Sequence, residues 1–125
     1  MRILHVADRS LWAAALTGDS YQWSTRDRTL QQEGFLHAST AGQLPGVLAR
    51  YYADVDPADH VLLVIDVEAC AAAGSPVRWD PVTDTRFPHI YGPLPVTAVV
   101  AQLDLAGPAG VPELAGLDVV ADPPV

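Results

Sequence analysis

His60-Val61-Leu62-Leu63-Val64-Ile65-Asp66-Val67 is a nearly continuous apolar run, rich in branched side chains. A run of this length without polar alternation reads as a strand covered on both faces, and therefore as the centre of the sheet. His60, entering that strand from a turn, is expected to be exposed. The apolar part, Val61 to Ile65, is far too short to span a bilayer, and the opening MRILHVADRS lacks the apolar stretch of a signal peptide. The expectation is a cytoplasmic protein with no membrane partner.

Working back from this strand, DVDPAD (residues 54–59) reads as a turn. Before it, Thr40 and Gln43 form a capping-box pattern for a helix to about Ala53. Pro45 lies past the first turn, where its ring is tolerated, and moves the alternative start to near Leu44. Both starts put Val47, Leu48 and Tyr51 on one side. Phe35 to Ser39 is a short strand whose period of two places Phe35, His37 and Ser39 on one face and Leu36 and Ala38 on the other. Asp19 to Gln32 is irregular and reads as a long loop, of the kind that often carries function. Arg2 to Ala7 is a strand, and Asp8 caps a helix through LWAAALT (residues 11–17), with Leu11, Ala15 and Leu16 as its apolar face, Trp12 beside them and Gly18 as C-cap.

Working forward, a short Ala-rich turn or helix is followed by a brief strand from Pro76 to Trp79, a loop over DPVTDTRFPH (residues 80–89) and a last strand from Val96 to Leu103. Residues 107–125 are rich in Gly and Pro and read as an arm over the domain or a tail, leaving 1–106 as one domain. Strands predominate with two or three helices among them, so the fold class is α+β in a single domain, as 125 residues support.

Half the residues are hydrophobic and 18% are charged, which permits an ordinary core and excludes global disorder. The seven basic residues are all Arg and face fifteen acidic ones, a net charge of -8 that argues against general nucleic-acid binding while leaving room for a local Arg pocket. Cys70 is the single cysteine, which excludes an intramolecular disulfide framework and a zinc site built on several thiolates. With no basic neighbour in sequence, it reads as a small core residue and not as a nucleophile. No Gly-rich phosphate loop or GxSxG elbow occurs, and nothing in the sequence sets an oligomeric state.

The chemistry-bearing candidates are His5 in ILHVA, His37 in GFLHAST and His89 in FPHIYGPLP, each within or beside an apolar stretch. A half-buried imidazole needs a polar partner, and for each ring alone a backbone carbonyl is an ordinary one. Their spacing does not match short-range metal-ligand motifs, so no metal is assigned. Arg86 to Leu94 is the densest segment: its two prolines fix the backbone around His89 and Tyr91, which lowers the entropy of presenting an imidazole and a phenol to a ligand. The ligand-binding candidates are Ser39, Thr40, Trp79 and Gly92, with Arg26 and Arg86 in the neighbouring loops as planar forks for an anion.

From Ile3 to about Leu103 the chain resembles the small bacterial proteins grouped as domain of unknown function 952, through the blocks ILHVADRSLW, EGFLHAST, VLLVIDV, VRWD and FPHIYGPL in this order. Asp80 stands where that family often has Glu after Trp. The family is in turn similar to the ADP-ribosyltransferase and RNA 2′-phosphotransferase fold, a split, mostly antiparallel sheet that holds NAD in a cleft. The resemblance implies NAD as cofactor or substrate, with His5 on the ribose, His37 and Ser39 lining the cleft and Tyr91 as a stacking face. Gln102 and Asp104 are the loose candidates for its late-strand carboxylate.

These observations leave three functions. One is an enzyme with a nucleotide-like or NAD-like substrate, catalysed by His5, His37, His89 and Tyr91. Another is an acid–base catalyst, an isomerase, cyclase or dehydratase acting on a small organic metabolite. The last is a non-catalytic ligand-binding or interaction module.

Overall fold

The computed structural model describes residues 1–18, 20–105 and 111–124. Strand β1 (Arg2–Asp8) leads into helix α1 (Arg9–Ala15), capped by the Asp8 carboxylate, which accepts the Leu11 N–H at 3.0 Å. Strands β2 (Ser20–Tyr21), β3 (Trp23–Thr25) and β4 (Arg28–Thr29) and helix α2 (Leu30–Glu33) follow, then β5 (Leu36–His37) and α3 (Leu44–Tyr51). Next come β6 (His60–Asp66), α4 (Val67–Ala72), β7 (Val77–Val82), β8 (Thr85–Ile90), β9 (Leu94–Pro95) and β10 (Val99–Asp104). The fold is α+β in one domain, and every paired strand runs antiparallel to its neighbour.

Strand β6 is the centre of the sheet β1-β6-β10, and Val61 through Ile65 are all fully buried. Because side chains alternate, Val61, Leu63 and Ile65 pack with Ile3, Ala7, Trp12 and Cys70, whereas Leu62 and Val64 pack with Leu4, Val6 and α3. A strand apolar on both faces is thus explained by cover on both faces. The second sheet, β5-β8-β7, joins the first where the chain past β5 crosses β1: Leu4 and Ser39 exchange backbone hydrogen bonds of 2.9 and 2.8 Å.

Several expectations require correction. Residues 20–32 of the expected loop form three short strands and most of α2, whose N-terminus is a capping box between Thr29 and Gln32. The expected loop at 80–89 is a hairpin turning at Thr83–Asp84. The prolines that suggested a loop are accommodated: Pro81 lies on the edge strand β7, and the Pro88 carbonyl accepts the Ala38 N–H just past the end of β5. Helix α3 buries Leu44, Leu48 and Tyr52, while Tyr51 is exposed, and the Thr40–Gln43 capping box sits one turn ahead of it. Helix α1 ends at Leu16, which is exposed, so neither Leu16 nor Gly18 plays the role expected of it.

His60 is buried, contrary to expectation. It pairs in register with Asp8 and sits edge-on to Tyr52. Of the C-terminal residues, 111–124 lie against the domain: the Val120 N–H donates to Arg2, and the Ala41 and Gly42 N–H groups donate to Val120 and Ala121. Gly42 permits this contact, since a β-carbon there would stand 2.6 Å from the Ala121 carbonyl.

Candidate functional site

Strand register brings the three histidines together. His37 and His89 are direct partners in the β5–β8 pair, and such partners project to the same face. Their rings meet edge-to-face with centroids 5.2 Å apart. His5 follows Leu4, the residue that pairs with Ser39, and its Nδ1–H donates to the His37 carbonyl. His5, His37, His89 and Ser39 all line one cavity of about 340 Å³, together with Glu33 and an apolar wall that includes Leu4, Val47 and Phe87. No arginine lines it.

Each of two imidazoles at this cavity is held by a carboxylate. On β7, Asp80 lies diagonally across from His89 on the same face of the hairpin, and its Oδ2 accepts the His89 Nδ1–H at 2.8 Å. The same oxygen accepts the Tyr91 hydroxyl. These bonds, Tyr91 first, hold the Asp80 carboxyl below its usual range, so it is ionised at neutral pH. His37 Nε2 meets Glu33 Oε1 at 3.1 Å, four residues back at the end of α2, and Glu33 also accepts from Arg28 at 2.9 Å. The His37 bond is the main reason the Glu33 carboxyl is lowered.

The histidine environments differ. Burial pushes His5 down to about 4 and holds His89 below the ordinary histidine range against the pull of Asp80, so both are neutral near pH 7. The His37 side chain is 43% exposed. Phe35 stacks on His89 with centroids 4.0 Å apart and is edge-on to His37, fixing both rings. Nε2 of His5 and Nε2 of His89 are buried without a hydrogen-bond partner.

The remaining candidates lie elsewhere. Tyr91 does not line the cavity; it sits under the Arg78 guanidinium, 4.9 Å from the ring centroid, and reaches the site through Asp80. Thr40 is buried in its capping box. Trp79 points to the opposite face of the hairpin, packed on the core. Gly92 fits against Ser75 at a φ of 150°, where a β-carbon would stand 2.5 Å from the Ser75 hydroxyl. Arg86 is exposed, and its carbonyl accepts from Gln43. Arg26 is engaged by Asp54 at 2.7 Å and borders a second cavity of about 280 Å³ that Asp8, Tyr21 and His60 also line.

Glu33 and Asp80 were not among the candidates. The i, i+4 spacing of Glu33 and His37 was readable, and Asp80 falls on the His89 face once residues 77–90 are taken as a hairpin. Among the described residues, no group of three or more His, Cys, Asp or Glu is arranged to hold a metal ion, and no helix is long and apolar enough to cross a membrane. Cys70 is fully buried, and burial pushes its thiol up to about 11.

A family model described as "Protein of unknown function (DUF952)" matches residues 6–102. The crystal structure of protein CC0527 from Caulobacter crescentus is similar to this chain with a TM-score of 0.73 at 28% identity, covering 91% of this chain and 95% of that one. A crystal structure of a CC0527 double mutant gives the same values. The solution NMR structure of CC0527 has a TM-score of 0.64 at 26% identity, with coverage of 90% and 92%. The curated proteins contain no match.

Proposed function

The chain belongs to the DUF952 family, and we propose that it is a small cytoplasmic acid–base catalyst, of the isomerase, cyclase or dehydratase type, acting on an organic metabolite bound in the cavity beside His37 and His89. The observation that carries this reading is the pair of adjacent imidazoles, each on its own carboxylate and each in a different environment. Two titratable groups kept in unlike surroundings are what an acid and a base working together require. Asp80 fixes the proton of His89 on Nδ1, which leaves the Nε2 lone pair to take a proton from a carbon next to a carbonyl. The C–H electron pair then forms the enol double bond, and the carbonyl oxygen takes a proton from protonated His37, whose charge Glu33 offsets. In a hydroxy-ketone the proton on His89 then goes to the former carbonyl carbon, while the hydroxyl on the neighbouring carbon gives its proton back to His37 and becomes the new carbonyl, which completes an isomerisation and restores both imidazoles with no other reactant.

Deuterium exchange tests this without knowledge of the natural substrate. Small amino- and hydroxy-ketones are incubated with the protein in D₂O and followed by NMR. Incorporation at the α-carbon of at least one of them is expected, with a loss of roughly 10²- to 10⁴-fold in His89→Gln at unchanged melting temperature. Exchange no faster than buffer for every compound, or equal exchange in the variant, overturns the proposal.

The nucleotide reading keeps one observation in its favour, the position of His5 on the first strand at the cavity wall, where the ADP-ribosyltransferase resemblance puts a ribose ligand. A pyrophosphate there would lack a guanidinium partner. Calorimetric titration with NAD and ADP-ribose distinguishes the two, and binding of either below millimolar concentration would favour the nucleotide.

A further inference from the structure

The hydrogen-bond polarity of the cavity specifies the chemistry of its ligand. A backbone carbonyl and an ionised carboxylate only accept hydrogen bonds, so the His5 ring facing the His37 carbonyl and the His89 ring facing Asp80 both carry their proton on Nδ1. Each therefore keeps a bare lone pair on Nε2, and both of these nitrogens are buried without a partner. Both side chains are more than nine-tenths buried, and both border the same cavity. Leaving such an acceptor unpaired is unfavourable. A ligand that donates an N–H or O–H removes that cost, whereas one that presents another acceptor does not.

The charges around the cavity point the same way. The sequence contains no lysine and no arginine lines the cavity. The carboxylate that does line it, Glu33, is shared between His37 and Arg28, and a second carboxylate stands behind His89. Tyr51, Tyr52 and Phe87 add aromatic surface of the kind that accepts an ammonium group.

We propose that the cavity takes a small organic amine or amino alcohol on an apolar body and excludes carboxylates and phosphates. This rests on the cavity being the ligand site of the function proposed above and names the substrate class that the site accepts. The amino or hydroxyl group donates to the His5 lone pair, which leaves that of His89 to the reacting carbon, and the apolar body lies against Leu4, Val47 and Phe87.

Benzylamine, benzoate and acetophenone share one body and differ in polarity, so they serve as probes of the wild-type protein, read by long-range ¹⁵N–¹H NMR of its imidazoles. The free protein is expected to show His5 and His89 as Nδ1–H tautomers. Benzylamine is expected to move at least one of the two Nε2 resonances and to bind roughly tenfold or more tightly than either other probe, the ratio that one charge-assisted hydrogen bond supplies. Protons on Nε2 in the free protein, benzoate or acetophenone binding as well as benzylamine, or no probe moving either resonance would each overturn the proposal. A protein that binds benzylamine in this way but exchanges no deuterium keeps the ligand class and loses the catalysis. Exchange without amine selectivity does the reverse.

Discussion

The two three-stranded sheets are built from the same strand geometry and spend their inward faces differently. In β1-β6-β10 the central strand buries five consecutive apolar residues, Val61 to Ile65, and His5 is the one polar side chain enclosed in the middle of β1. In β5-β8-β7 one face carries Arg78, Asp80, His89 and, across from His89, His37. The first sheet supplies burial, which stabilises in proportion to apolar area. The second holds polar groups in fixed mutual positions at a surface where a ligand has access. The cavity lies at the seam, where Leu4 of one meets Ser39 beside the other.

The largest expected effect comes from breaking the first sheet. Leu63→Ala, at a fully buried position paired with His5, should cost roughly 2–5 kcal/mol in urea unfolding. Val82→Ala at the exposed end of the hairpin should cost less than about 0.5 kcal/mol. Equal costs would mean that the two sheets share the burden of stability.

The next effect concerns the one polar residue that the first sheet encloses. His5 is held at about 4 in the fold against 6.5 when free. Between those values the unfolded chain binds the extra proton, so stability is full above a pH of about 6.5 and falls as the pH drops towards 4, by roughly 3 kcal/mol. Chemical unfolding across this window should show the slope in the wild type and a flatter line in His5→Phe. A variant as steep as the wild type would assign the slope to other groups.

The smallest effect is expected at Arg26. Its ion pair with Asp54 is open to solvent, so Arg26→Ala should leave both the melting temperature and the deuterium exchange of the wild type intact. A loss of exchange would place Arg26 in the site after all.

How far the sequence exposed this arrangement differs between the sheets in the same way. β6 and β1 were legible because long runs of branched apolar residues have one ready explanation. Strands β2 and β9 each span two residues, too short for any period to register, and each is held by the other across a long stretch of sequence, whereas β5 stood out within Phe35–Ser39. The β7–β8 hairpin was hidden by Pro81 and Pro88, which read as loop signals. The burial of His60 depends on Tyr52 and on its register with Asp8, neither of which is a local property. The histidines stood out by composition and context. Their carboxylate partners needed the fold, since Asp80 reaches His89 only across the hairpin.

The measurement that bears most directly on the site is the rate of deuterium incorporation by wild type, Asp80→Asn and His89→Gln, compared side by side on the same ketone. The account expects a large loss in His89→Gln and a smaller one in Asp80→Asn, because the amide leaves the imidazole in place but no longer holds its proton on Nδ1. Equal exchange in all three proteins would contradict it.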